Sequence, residues 1–144
     1  MYHSEKCEEI DNFLIDEYKR YELMWEKLFS KYKCTIIQNN FEYPNVRLLG
    51  NRDCYDKRGR VNFVTRLNQM FYDYACSHDN FFINDINYLS SCYGLDKWSN
   101  DLYWYMYKYA LELNAVPHLC FNIAKIIKSI YGKNKKGLVL DLDN

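Results

Sequence analysis

Helical patterns dominate the chain, and the longest lies at its start. Across residues 5–32, apolar and aromatic side chains recur every three or four positions, with Glu, Lys and Arg between them. That spacing defines one face of an amphipathic helix. It recurs at 61–78, and again after Asn114, which we expect to cap a helix with Pro117 in its first turn. A shorter helix is predicted to end at Gly94, a residue typical of helix C-termini.

Short apolar runs between these helices predict buried strands. The runs are 34–37, 80–86 and 138–142. Helices alternating with strands favour a parallel sheet, so the predicted fold class is α/β. Because the chain opens on a helix, we expect the sheet to be incomplete.

The third predicted strand ends in two acidic residues, Asp141 and Asp143. Acids two positions apart on a strand project to the same face, so both could reach one divalent metal. The carboxyl end of a parallel strand is also where α/β sheets bind ligands. A strand of this kind is normally followed by a loop and a helix. We therefore expect a fragment in which a domain at 1–132 is joined to the linker and opening strand of another at 133–144.

Charge and cysteine content exclude several classes of protein. The 19 basic residues equal the 19 acidic ones, which gives no electrostatic case for nucleic acid or anionic lipid. The sequence shows neither a signal peptide nor an apolar run of the ~18 residues that a membrane span needs. Six cysteines without C-x-x-C spacing argue against zinc and disulfides. We expect a cytoplasmic protein with its cysteines reduced in the core.

Three features each leave two interpretations open. The 15 tyrosines reflect either a nucleotide-biased genome or a Tyr-rich contact surface. The amide-rich loop at 38–44 either satisfies its own turn or carries function. Four arginines in the polar segment 45–60 either form an anion-binding edge or are solvated charges; they are Arg47, Arg52, Arg58 and Arg60.

Seven segments together resemble the FkbH-like proteins, also called HAD-superfamily subfamily IIIC phosphatases. The matching segments are 36–41, 47–50, 78–80, 85–89, 93–95 with Trp98, 103–108 and 135–144. Such proteins join an N-terminal SGNH-hydrolase-like domain to a HAD phosphatase-type domain. The resemblance implies an incomplete SGNH- or flavodoxin-like parallel sheet with flanking helices, ending in the first strand of a Rossmann-like HAD domain.

The closing segment carries the chemistry that the resemblance implies. By position, Asp141 is the nucleophile and Asp143 the general acid/base, with Mg²⁺ bound at both. The other HAD residues fall beyond position 144, so we expect the 144-residue chain alone to be inactive and to bind Mg²⁺ weakly. The implied parent acts on a phosphorylated acyl or glyceryl substrate together with acyl carrier protein. Four lysines are candidates for contacting such an acidic carrier, against solvated charge as the alternative: Lys97, Lys108, Lys125 and Lys128.

The hydrolase half of the resemblance is degenerate in this sequence. Where the SGNH pattern has Asp-x-x-His, the chain has Asp101 and then Trp104, and no serine block precedes it. Asn39 and Asn40 are then candidates for lining a vestigial cleft. The alternatives to the parent enzyme are a stand-alone binding module or pseudoenzyme and, less favoured, an SGNH-type esterase.

Overall fold

The computed structural model describes residues 2–132, with side chains from Glu8 onward. Its helices are α1 (Tyr2–Tyr32), α2 (Arg60–Cys76), α3 (Ile86–Tyr93), α4 (Leu95–Trp98), α5 (Asp101–Tyr107) and α6 (Val116–Ile130). Its strands are β1 (Ile36–Asn39) and β2 (Phe81–Asn84), and 3-10 helices cover Gly50–Cys54 and Leu113–Ala115. The predicted strand at 138–142 lies outside the described residues.

The two strands pair in parallel and confirm the predicted α/β class. Ile36 lies opposite Phe81, and Asn39 lies opposite Asn84. The ladder begins where the Ile36 N–H donates to the Asn80 carbonyl, at 2.9 Å. Strand β1 therefore starts two residues later than its β-branched run predicts.

The main core is an aromatic cluster between α1, α2 and the sheet. Trp25 of α1 is fully buried, and its ring centroid lies 4.9 Å from Phe71, 4.7 Å from Tyr74 and 4.7 Å from Phe81. The indole N–H also donates to the Gln38 side-chain oxygen at 2.8 Å. The predicted apolar faces of the first two long helices thus meet each other and the strands.

A smaller cluster holds the second half of the domain together. Ile86, Trp98 and Ala115 are its buried members, and Leu119 of α6 packs against them. Trp98 is flanked by a short antiparallel bridge between Ser99 and Leu111. The bridge pairs the two ends of the segment between them, so residues 101–109 form an extension that leaves the body of the domain and returns to it.

The polar segment 45–60 is fixed by one buried carboxylate. Asp53 accepts hydrogen bonds from the backbone N–H groups of Val61, at 2.7 Å, and Leu49, at 3.2 Å. Gly59 packs so closely on the Asp53 backbone that a Cβ there would collide with it. Two of the four arginines, Arg52 and Arg58, bind Asp56 at 2.9 and 2.8 Å.

Two expectations about local structure are wrong. The N-cap of α6 is Ala115 and makes no side-chain capping bond, because Asn114 is taken up in the preceding 3-10 helix. The cysteines were expected in the core, yet the five at positions 34, 54, 76, 92 and 120 are exposed. Helix and loop surfaces, rather than the small aromatic core, carry them. Within residues 2–132, no helix is long and apolar enough to cross a membrane.

Candidate functional site at the carboxyl edge of the sheet

The carboxyl ends of β1 and β2 bring four polar residues together, as parallel pairing requires. They are Asn39 and Asn40 at one strand end, and Asn84 and Asp85 at the other. This edge is where an α/β sheet binds ligands. It is therefore the first place to look for chemistry among the described residues.

Asn40 is the centre of this edge and is only 3% exposed. Its amide nitrogen donates to the Tyr72 hydroxyl and to the Asp85 carboxylate, each at 2.7 Å. Its amide oxygen accepts the backbone N–H of Asn87 at 3.1 Å. Every hydrogen-bonding group of the Asn40 amide therefore has a partner inside the domain.

The neighbours of Asn40 are held just as firmly. Asp85 caps α3 by accepting the backbone N–H of Tyr88 at 3.0 Å. Burial, with the Asp85 charge nearby, raises the pKa of the Tyr72 hydroxyl. The phenol therefore stays protonated at neutral pH and can serve as a neutral partner for the Asn40 amide.

Two further asparagines extend the network into the helices. Asn84 donates to the Asn39 oxygen at 2.8 Å and accepts from Asn122 of α6 at 2.7 Å. Asn68 of α2 bonds both backbone groups of Phe41, at 2.9 and 2.7 Å. The interpretation in which the amide-rich loop satisfies its own turn holds for Gln38, which donates to the Asn39 carbonyl, whereas the side chains of Asn39 and Asn40 bond to residues distant in the chain.

A pocket of about 290 Å³ borders this edge. Asn39 and Asn40 line it, together with Tyr21, Glu42 and Trp98. The Asn40 amide is fully hydrogen-bonded within the domain, so it is not available to a ligand in this pocket. The pocket can hold a small molecule, but the described residues place no nucleophile and base together in it.

The other predicted cleft residues lie elsewhere. Asp101 and Trp104 belong to α5 and are not among the residues lining that pocket. Trp104 is 48% exposed, with the Lys108 ammonium 5.5 Å from its ring centroid. The structure thus brings Asn39 and Asn40 together, and keeps Asp101 and Trp104 apart from them. Assignment of all four to a vestigial hydrolase cleft stays a prediction.

One Ser–His pair in the described residues invites comparison with a hydrolase. His78 Nδ1 lies 3.1 Å from the Ser77 hydroxyl and 2.8 Å from the Tyr74 carbonyl. A carbonyl only accepts, so Nδ1 carries the proton and cannot act as a base toward Ser77. His118, the other histidine whose side chain is described, packs edge-on against Tyr93.

The described part of the chain also lacks a metal centre of its own. Across it, no three His, Cys, Asp or Glu residues come together in a way that could hold an ion. Asp141 and Asp143, the predicted magnesium ligands, lie outside the described residues. Their assignment stays a prediction.

Sequence reasoning missed the residues that complete the edge network. Asp85 could have been found, since an Asp directly after a strand and before a helical segment is a typical N-cap. Tyr72, Asn68 and Asn122 gave no signal, because they stand in helices and meet the edge only in the folded chain. A single polar residue in an amphipathic helix does not indicate which strand end it contacts.

The fold and this edge define a class: an α/β domain with a parallel sheet whose strand edge is hydrogen-bonded within the domain. A solved structure shares the fold. It is the crystal structure of the N-terminal part of the protein BF1531 from Bacteroides fragilis, containing a phosphatase domain complexed with Mg, with a TM-score of 0.74 and 23% sequence identity. The match covers 92% of this chain and 39% of that one.

The family follows from the sequence itself. The sequence profile described as "FkbH, N-terminal domain" matches residues 1–128. The chain therefore belongs to the FkbH N-terminal domain family, which confirms the resemblance. No curated protein matches the chain significantly.

Proposed function

We propose that this chain is the N-terminal domain of a HAD-type phosphatase protein and serves it as a non-catalytic binding and docking module. Two findings support the proposal. The chain belongs to the FkbH N-terminal domain family, and it spans 39% of a fold relative whose described content includes a phosphatase domain with Mg. The hhhDxD pattern at 138–143 supplies the matching start of a phosphatase-type domain.

One structural observation carries the non-catalytic part. Asn40, at the centre of the carboxyl edge, gives all its hydrogen-bonding groups to Tyr72, Asp85 and the backbone of Asn87. A residue that stabilises an oxyanion must keep a donor aimed at the reacting atom. The bonds of Asn40 fix the positions of the two strands and α3 relative to one another, and leave no donor for a reacting atom.

The catalytic residues of the parent are Asp141 and Asp143. In the proposed reaction the Asp141 carboxylate attacks phosphorus, the bond between phosphorus and the substrate oxygen breaks, and Asp143 protonates that oxygen; water then hydrolyses the aspartyl phosphate and releases phosphate. The Asp141 carboxylate and the Asp143 backbone carbonyl would offer the hard oxygen ligands that Mg²⁺ prefers. When bound, Mg²⁺ offsets the repulsion between a carboxylate and an anionic phosphoryl group. The proposed substrate is a phosphorylated acyl or glyceryl compound, and acyl carrier protein is a proposed partner of the parent protein.

The intact mass of the product in its source cells is the first test. A mass several-fold above the 17.5 kDa of this chain is expected if a catalytic domain follows. A mass of 17.5 kDa would overturn the proposal. It would favour a stand-alone binding module, which the exposed aromatic side chains of α5 could serve.

Activity of the purified intact product provides the second test. We expect Mg²⁺-dependent hydrolysis of an acyl phosphate, abolished by Asp141→Asn and retained by Asp101→Asn. Hydrolysis that survives Asp141→Asn contradicts the proposal. Hydrolysis of a chromogenic short-chain ester that Asp101→Asn abolishes would revive the esterase alternative.

A further inference from the structure

Helix α6 attaches to the domain through one face only. Leu119 packs against the cluster around Trp98, and Asn122 donates to Asn84 at the end of β2. Ile123 and Ile126 lie on the same side and are half-buried. Even on this face no α6 residue is fully buried.

A second apolar stripe lies beside the first and faces outward. Its members follow one another at intervals of four, three and four residues, which places them in one line along the helix. They are Cys120, Ala124, Ile127 and Tyr131, called here the outer stripe. All four are exposed, Ile127 by 42% and Tyr131 by 74%.

A helix with apolar residues over so wide an arc is normally covered on more than one side. An exposed apolar patch with a polar rim marks an interaction site. Lys128 provides part of that rim, and the Lys125 ammonium lies 4.6 Å from the ring centroid of Phe121 on the same helix. The outer stripe therefore has the character of an interface.

Covalent geometry limits what can cover this stripe. Six residue steps separate Gly132, just after α6, from Leu138, where the predicted strand begins. Whatever their conformation, they span at most about 22 Å. The 15 residues of α6 extend about as far, some 22 Å. A domain of about 100 residues has a radius of gyration near 13 Å, so one that begins at Leu138 lies within reach of the C-terminal half of α6.

We propose that the outer stripe of α6 is the docking surface for the phosphatase-type domain that begins at Leu138 of the same polypeptide. This inference rests on the proposed function, which supplies that domain. The interface places Ile127 and Tyr131 at its centre. From Leu113 to Leu140 the chain has five lysines and no carboxylate, so the facing surface carries acidic groups around an apolar centre.

Cysteine labelling of the intact protein tests the interface without a mutation. Cys120 lies in the outer stripe, whereas Cys76, at the end of α2, lies away from it; both are exposed in this domain. In the native intact protein we expect a maleimide to label Cys120 at least tenfold more slowly than Cys76. After denaturation the two rates should be equal. Equal rates in the native protein would overturn the interface.

A charged substitution in the stripe gives the second measurement. We expect Ile127→Glu to raise the native labelling rate of Cys120 toward that of Cys76, and to leave the rate of Cys76 unchanged. The matched control is Leu102→Glu on α5, also exposed, which should leave Cys120 protected. If Ile127→Glu raises both labelling rates, the variant is generally unfolded. The test of the interface is then the ratio of the Cys120 and Cys76 rates in the protein without a mutation.

Two further outcomes separate this inference from its alternatives. Protection of Cys120 that disappears on dilution, with dimer dissociation in light scattering, would make a second copy the occupant and overturn the proposal. Mg²⁺-dependent activity with an unprotected Cys120 would overturn the interface alone and leave the proposed function standing. Protection of Cys120 in an inactive intact protein would support the interface and count against the proposed chemistry.

Discussion

Aromatic residues occur both in the interior of the domain and on its α5–α6 surface, but they are buried in the first region and exposed in the second. Trp25 is fully buried among aromatic rings and bonded through its indole N–H. Trp104 is about half exposed, with the Lys108 ammonium 5.5 Å from its ring centroid. The difference lies in the partner elements. Trp25 has α2 and the sheet against it, whereas α5 is held out by the bridge between Ser99 and Leu111.

This contrast shows that aromatic content alone identifies neither a core nor an interface. Aromatic side chains stabilise a fold only where helices and strands remove them from water. Where the fold leaves them exposed, they are available to another surface. Substitutions in the interior should therefore cost far more stability than substitutions at the exposed aromatic surface.

Removing the central core ring should have the largest effect. We expect Trp25→Ala to lower the free energy of unfolding by about 3–5 kcal/mol, because it leaves a large cavity among Phe71, Tyr74 and Phe81. The measurement is urea unfolding followed by circular dichroism. The matched control is Trp104→Ala, for which we expect a loss of no more than about 0.5 kcal/mol. Similar losses for the two variants would mean that burial among aromatic rings does not account for the role of Trp25.

The buried amide at the sheet edge ranks second. Asn40→Ala leaves Asp85, Tyr72 and the Asn87 N–H short of a partner, and should cost about 1–3 kcal/mol. Asn45→Ala is the control, since Asn45 is exposed and makes a single bond to Ser99 at 3.0 Å. A neutral Asn40→Ala would mean that this edge does not hold the strands. It would reopen a ligand-binding role for the residue.

Much of the helical architecture could be predicted from sequence, because long amphipathic segments are local signals. Spacing predicted the end of α1 at Tyr32 and, to within one residue, the start of α2, and a C-terminal glycine predicted the stop at Gly94. The same reasoning failed at Asn114, where a capping residue was absorbed by a 3-10 helix. Local chemistry allowed both outcomes, and packing of Ala115 into the second cluster decided between them.

The candidate site could be predicted only in part. The strand ends located Asn39 and Asn40, because parallel strands present their carboxyl ends at one edge. The bonds that define Asn40 reach Tyr72 and Asp85, 32 and 45 residues away along the chain. No periodicity reports contacts over such separations. The sequence therefore predicts where the site lies, but not that the Asn40 amide is fully hydrogen-bonded within the domain.

The buried carboxylate of Asp53 gives the third prediction, a dependence of stability on pH. Hydrogen bonds, the strongest from the Val61 N–H, hold the pKa of Asp53 below its usual value. Its contribution is therefore complete above the unfolded-state pKa of about 4 and is lost as pH falls through the folded-state pKa. Asp53→Asn should lower stability at pH 7 by less than Asn40→Ala and flatten the decline below pH 4. Urea midpoints at pH 7, 4 and 3 provide the measurement, and an unchanged slope contradicts the assignment.

The smallest effect on stability should come from the exposed surface, where tryptophan fluorescence makes the contrast visible. Of the three tryptophans, Trp25 and Trp98 are buried and Trp104 is exposed. Iodide should therefore quench Trp104 alone in this domain, and Trp104→Phe should abolish the quenchable fraction while changing unfolding by less than about 0.5 kcal/mol. Trp98→Phe is the control and should leave that fraction in place. Quenching that persists without Trp104 would show that Trp25 or Trp98 is accessible to solvent, which contradicts their burial in the two core clusters.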